Sequence, residues 1–182
     1  MPTWRSKSCV MRAATVLMAG SLLGGIFVVV SRHWAKTPDG EKIYGIWTYC
    51  LDPYIEVPEA AMPIVYPVFG IMVNIMQFCS LVLNIMFLHR NSMLVLPALV
   101  TFSFMEGAMM SVLLILWAIP HGAHGFALLH AFYIALSVAA LQLFTGALCC
   151  LEFFNMRHYM IERQRVAAMP DRGETTDLSA ML

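Results

Sequence analysis

The chain has 182 residues, of which 60% are hydrophobic and 12% charged, and its mean hydropathy is +0.73. Soluble domains carry about twice that share of charge, so an ordinary water-soluble domain is excluded. Eleven basic and eleven acidic side chains cancel, so no basic excess points to nucleic acid.

Charge-free stretches set the number of spans. Ala13–Ser31 lies between Arg12 and Arg32, and Ala60–Leu88 between Glu59 and His89. Ser92–Ile119 carries one acid, Glu106, and Phe126–Leu151 is closed by Glu152. Crossing the ~30 Å hydrocarbon layer takes about 20 apolar residues, so each stretch crosses once and none crosses twice. Backbone groups in lipid need internal partners, which predicts helices near 12–31, 65–88, 94–119 and 126–151. A cleaved signal peptide is the rival for the first stretch. The run exceeds the usual h-region, and Gly20-x-x-x-Gly24 suits helix packing, so a retained anchor is expected.

Orientation follows from Lys and Arg beside the spans. Arg5, Lys7, Arg12, Arg90, Arg157, Arg163, Arg165 and Arg172 fall on one side, against Arg32, Lys36 and Lys42 on the other. Both termini are therefore expected in the cytosol. The expected product is an all-α membrane protein, a bundle of four transmembrane helices over 12–151. Residues 1–11 precede it on the cytosolic side and a tail, 152–182, follows. One larger extracellular loop spans 32–59, and Pro120–Gly125 makes a tight outer turn. Short connections make neighbouring helices antiparallel. The end of the tail, Asp171–Leu182, reads as disordered.

The first loop contains Trp34 and then Gly45-Ile46-Trp47-Thr48-Tyr49-Cys50. A Trp just past the first span followed by Gly-Φ-Trp-x-x-Cys resembles the superfamily of claudins, peripheral myelin proteins and calcium-channel gamma subunits. Four spans, cytosolic termini and a larger first loop resemble it too. The resemblance implies a plasma-membrane protein, at a cell junction or as an auxiliary subunit, with Trp34, Gly45, Trp47 and Cys50 shaping the loop. Glycine permits close backbone approach, and Trp suits the membrane–water interface. The chain departs from the pattern in three ways: no second loop Cys follows Cys50, the loop is short, and the second outer loop is nearly absent. A regulatory or scaffolding role therefore fits better than a paracellular seal.

Of five cysteines, only Cys50 is expected on the oxidising side. Cys79 lies too deep in span two to reach it, so Cys50 is either a free thiol or a bridge between two chains. Cys149 and Cys150, and more weakly Cys9, stand where S-palmitoylation occurs, the alternative being small apolar residues facing lipid.

Glu106 is the sharpest polar signal, because an acid in mid-membrane is a functional candidate by default. Its depth matches Gln77 in span two, with Asn74 and Gln142 about a turn away. Asn74, Gln77 and Asn84 share one helix face. Gly107-x-x-x-Ser111 and Ala131/Ala135/Ala139 offer narrow faces for close packing. A neutral Glu106 hydrogen-bonded inside the bundle is expected, with a proton- or cation-handling site as the alternative. His121 and His124 read as solvated turn histidines, since a zinc site takes three or four ligands and the turn offers two. No nucleophile–base set, Cys-x-x-Cys pair or phosphate-binding glycine loop is present. The expectation is a non-enzymatic tetraspan without cofactor or metal, whose partners are the lipid bilayer and other membrane proteins met laterally. The alternative is a small transporter or channel subunit using Glu106.

Overall fold

The computed structural model describes residues 9–48, 64–90 and 94–168. Four helices, α1 (Cys9–Val30), α2 (Val65–Arg90), α3 (Val95–Ala123) and α4 (His130–Ala168), are joined at one end by strands β1 (Ala35–Lys36), β2 (Ile43–Tyr44) and β3 (Ala127–Leu128). All four helices are long and apolar enough to cross a membrane. Their order in space is a closed ring, with α1 against α2 and α4, and α3 against α2 and α4.

The buried positions explain the ring. They include 11, 14, 18, 21, 25 and 28 on α1, and 66, 70, 73, 77, 80, 84 and 87 on α2. On α3 they include 96, 99, 103, 106, 110, 113 and 117, and on α4 131, 135, 138, 142, 145, 149, 152 and 156, with a few flanking positions beside them. Alternating steps of three and four residues form a heptad seam on every helix, which selects the packing of antiparallel bundles. The opposite faces are apolar as well. Leu23, Phe78, Ile115 and Phe144 all point outward, as lipid-facing positions do.

Three expectations change. The chain is mostly helical, with the four expected helices, but its loops add a small antiparallel sheet ordered β2-β1-β3, in which Ala35 pairs with both Tyr44 and Leu128. Pro120–Gly125 is not a turn, since α3 runs through Pro120 to Ala123. The segment expected as a tail from 152 is helical to Ala168, and α4, at 39 residues, reaches about 58 Å. Asp171–Leu182 and Cys50 lie outside the described residues.

Glycine sets the spacing between helices. A Cβ on Gly107 would meet Leu143 at 2.7 Å, and one on Gly24 would meet Val138 at 2.8 Å. Gly20 faces open space, so only the second glycine of the Gly20-x-x-x-Gly24 pattern packs against a neighbour.

Candidate functional site

Two regions gather the polar and aromatic side chains that the sequence singles out. One is a cap built from the loops at the sheet-bearing end. The other is a layer halfway down the bundle.

The cap begins as a helix-end problem. The last four carbonyls of a helix lack intrahelical donors, and α1 ends in Phe27-Val28-Val29-Val30 without a glycine to turn the chain. Ser31 N–H donates to Phe27 O at 2.9 Å. The Trp34 indole donates to Val28 O and the Trp47 indole to Val29 O, both at 2.8 Å. The two tryptophans of the loop motif are thus the C-cap of α1. Gly45 lets the loop close over that end, because a Cβ there would lie 2.6 Å from Ser31 O. Its own N–H donates to Thr48 Oγ1 at 2.6 Å.

Trp34 is not an interfacial belt residue. It is fully buried, with its ring 5.2 Å from Trp117 and 6.4 Å from Phe132. Tyr66, at the start of α2, packs its ring 4.9 Å from Trp117. Pro120 removes the N–H that would bond Leu116 O, and the Tyr66 hydroxyl donates to that carbonyl at 3.2 Å.

His121 corrects the expectation of a solvated turn residue. It is fully buried, stacked 4.0 Å from Trp117, with Nδ1 2.7 Å from Trp117 O. The helix carries it inward where a loop would have left it in water. His124 does remain exposed. Past it, Gly125 adopts φ +73°, Gly125 N–H donates to Gly122 O, and Phe126 N–H donates to His121 O. That pair of bonds is a Schellman motif, with Gly125 at the left-handed position.

Backbone bonds tie the second connection to the first. Leu129 N–H donates to Trp34 O and Ala131 N–H to His33 O. The β1–β2 hairpin turns through Thr37-Pro38-Asp39-Gly40, with Gly40 N–H on Thr37 O and Gly40 at φ +77°. Asp39 accepts from the Thr37 hydroxyl and from Glu41 N–H. Those two donors, Thr37 first, hold its carboxyl below the usual value of 3.8.

The mid-bundle layer separates two apolar clusters that share no residue. One lies toward the cap around Val73, Met110 and Val138; the other lies toward the open end around Met18, Phe87 and Leu99. Between them every helix places polar side chains on its seam: Ser21; Gln77, Ser80 and Asn84; Ser103 and Glu106; Gln142 and Thr145. Ser80 donates to Glu106 Oε1, and the Asn84 amide donates to Met18 Sδ at 3.3 Å. Among the described residues, both polar atoms of Gln77 and of Gln142, the Ser21 and Ser103 hydroxyls and Glu106 Oε2 find no partner.

Glu106, Gln77 and Gln142 thus all lie inside the bundle. Asn74 is half-buried, its amide donating to Gly70 O at 2.9 Å and its unpartnered Oδ1 sharing the Gly25 notch with Gln77. Sequence reasoning missed Ser80, the hydrogen-bond partner of Glu106, together with Ser21, Ser103 and Thr145, and also Glu152, which is only 3% exposed. Heptad spacing from Gln142 was the available signal for Thr145 and Glu152. Cys149 is buried, Cys150 part-exposed and Cys9 exposed. Only the last two present a thiol that an acyl donor can reach.

No family model matches this sequence, and no curated protein matches it.

Proposed function

We propose that this chain is a non-enzymatic tetraspan that works through its cap, in adhesion or junction organisation or as an auxiliary subunit of a channel or receptor. The observation that carries the reading is the double tryptophan cap on α1. It converts the loop motif into a fixed platform, and β3 from the second connection widens that platform. A platform pinned at the end of a lipid-facing bundle offers preformed shape to another membrane protein, which lowers the ordering cost of binding. The resemblance of Trp34, Gly45 and Trp47 to the claudin superfamily supports the same reading, with the platform outside the plasma membrane and both termini in the cytosol. Cys50 then stands on the oxidising side, free or bridging two chains.

Surface biotinylation and partner pull-down of Trp34→Ala and Trp47→Ala test it. Tyr133→Ala is the control, because Tyr133 faces outward, whereas Trp117 sits in the same cluster as Trp34. The reading expects both tryptophan variants to lose delivery or partner while the control keeps both. Equal, mild effects at all three positions would remove it.

One observation favours a second reading, a small transporter or channel subunit: the polar layer lies on the seams of all four helices. Cation flux into liposomes for wild type and Glu106→Gln separates the two. A scaffold tolerates the change, and a coupled transporter loses its flux.

A further inference from the structure

The polar layer is built as one site. Each pair of neighbouring helices has a close approach that fixes its level. Gln77 Oε1 fills the notch at Gly25, 2.5 Å from where a Cβ would be, and the Gly24 notch faces Val138. Ser80 reaches Glu106, and Gly107 abuts Leu143. These approaches bring Ser21, Gln77, Ser80, Glu106 and Gln142 to within about one helical turn of one another in depth. All five are at most 1% exposed.

The chemistry of the set is narrow. It offers one carboxyl with several amide and hydroxyl oxygens, and no soft ligand. Oxygen donors of that kind select hard cations. The described interior holds no Lys or Arg, and its one buried histidine, His121, belongs to the cap. The next buried acid, Glu152, follows Gln142 by ten residues on α4, or about 15 Å. A charge at Glu106 therefore has no counter-charge within the layer. A charged group in hydrocarbon needs one. A single positive charge balances one carboxylate, whereas a divalent ion leaves an excess. Gln77, Gln142 and Ser103 supply unpartnered atoms in the same layer as Glu106 Oε2.

We infer that this layer is a binding site for a small monovalent cation of the sodium class, which takes the place of the Glu106 carboxyl proton. The carboxyl releases one proton as one cation binds, so the layer stays neutral in both states. Glu106 supplies the charge, and Gln77, Gln142 and Ser103 supply neutral oxygens. Binding at equilibrium is separate from flux. Binding without flux leaves the site intact and retires the transporter reading; flux without binding retires the site.

The test uses the full chain in lipid nanodiscs, treated with an uncharged carbodiimide, which modifies protonated carboxyls in apolar surroundings. Glu106 labelling is followed by peptide mass spectrometry in sodium chloride and in N-methylglucamine chloride of equal ionic strength. Sodium should slow labelling saturably, by about tenfold when it stands near ten times its dissociation constant. Gln142→Leu should move half-protection to higher sodium, each variant being compared with its own sodium-free rate. A rate independent of sodium, lithium and potassium overturns the site and makes Glu106 a structural carboxyl. If Glu106 resists the reagent in every medium, melting in detergent decides. A midpoint raised by sodium in wild type and unmoved in Glu106→Gln supports the site, and one unmoved in both overturns it.

Discussion

At the capped end, the indoles of Trp34 and Trp47, the Tyr66 hydroxyl and the N–H groups of Leu129 and Ala131 all donate to carbonyls that the helix ends and loops leave open. Halfway down the bundle, Gln77, Gln142, Ser103 and Glu106 are as deeply buried, yet polar atoms on each lack a partner. A satisfied network specifies one arrangement and holds it. Groups left unpaired in a low-dielectric interior cost stability unless something else answers them. The contrast assigns shape to the cap and binding capacity to the layer.

Trp34→Ala breaks the cap most severely. Truncating a buried Trp costs roughly 3–5 kcal/mol in soluble cores, and here it also uncovers Val28 O and empties the space beside Trp117. Surface delivery should collapse while membrane insertion, read by carbonate extraction, persists. Gly45→Ala comes next. Its new Cβ meets the backbone of Ser31 and Arg32, which cannot swing aside, so a loss of about 1–3 kcal/mol is expected. Gly107→Ala should cost less, because its tightest contacts, at 2.7 Å, are with the Leu143 side chain, and the Leu143 backbone N stands off at 3.3 Å. Thermal unfolding of the two variants compares backbone with side-chain crowding.

The opposite sign is expected in the layer. Gln142→Leu removes two unpartnered polar atoms and should be neutral or stabilising by about 1 kcal/mol in sodium-free buffer. A stabilised layer variant beside a destabilised cap variant would sharpen the comparison; two destabilised variants would break it. Trp47→Phe keeps most of the ring and loses one hydrogen bond to Val29 O, so its cost should be near 1 kcal/mol. The smallest effect belongs to Asp39. Its carboxyl is held below 3.8, first by Thr37 and then by Glu41 N–H. The hairpin tip should therefore keep its order from neutral pH down through 3.8 and loosen only as acidity protonates the folded carboxyl. Exchange of the Glu41 amide, corrected for its intrinsic pH dependence, reads this directly.

The four spans were legible because charge-free length is a counting problem. Legible too were Glu106 and Gln77 as interior polar positions, although the residue that meets Glu106 is Ser80, about one turn further along α2. The ends were not. Pro120-His121-Gly122 reads as a turn on local propensity, yet Tyr66, 50 residues away in sequence, covers the carbonyl that Pro120 exposes and lets α3 continue. The true stop is Gly125, whose left-handed backbone the residue type alone permits but does not require. The hairpin had a local signal in Thr37-Pro38-Asp39-Gly40. Its third strand did not, because Ala127–Leu128 becomes a strand only through pairing with β1. Glu152 was read as the border of span four because a charge usually ends an apolar run. Heptad register carries it inside the bundle.

Ile43 gives the most direct test that the cap is the working surface. It lies on β2, 44% exposed, and its side chain forms none of the cap's indole or aromatic contacts. The measurement is proximity labelling in native membranes for wild type, Ile43→Asp and the lipid-facing variant Phe78→Ala, each normalised to surface biotinylation. The account predicts that Ile43→Asp reaches the surface at wild-type level and loses the labelled partners, while Phe78→Ala keeps them. Partners retained by Ile43→Asp and lost by Phe78→Ala would contradict it and move the working surface to the flank of the bundle.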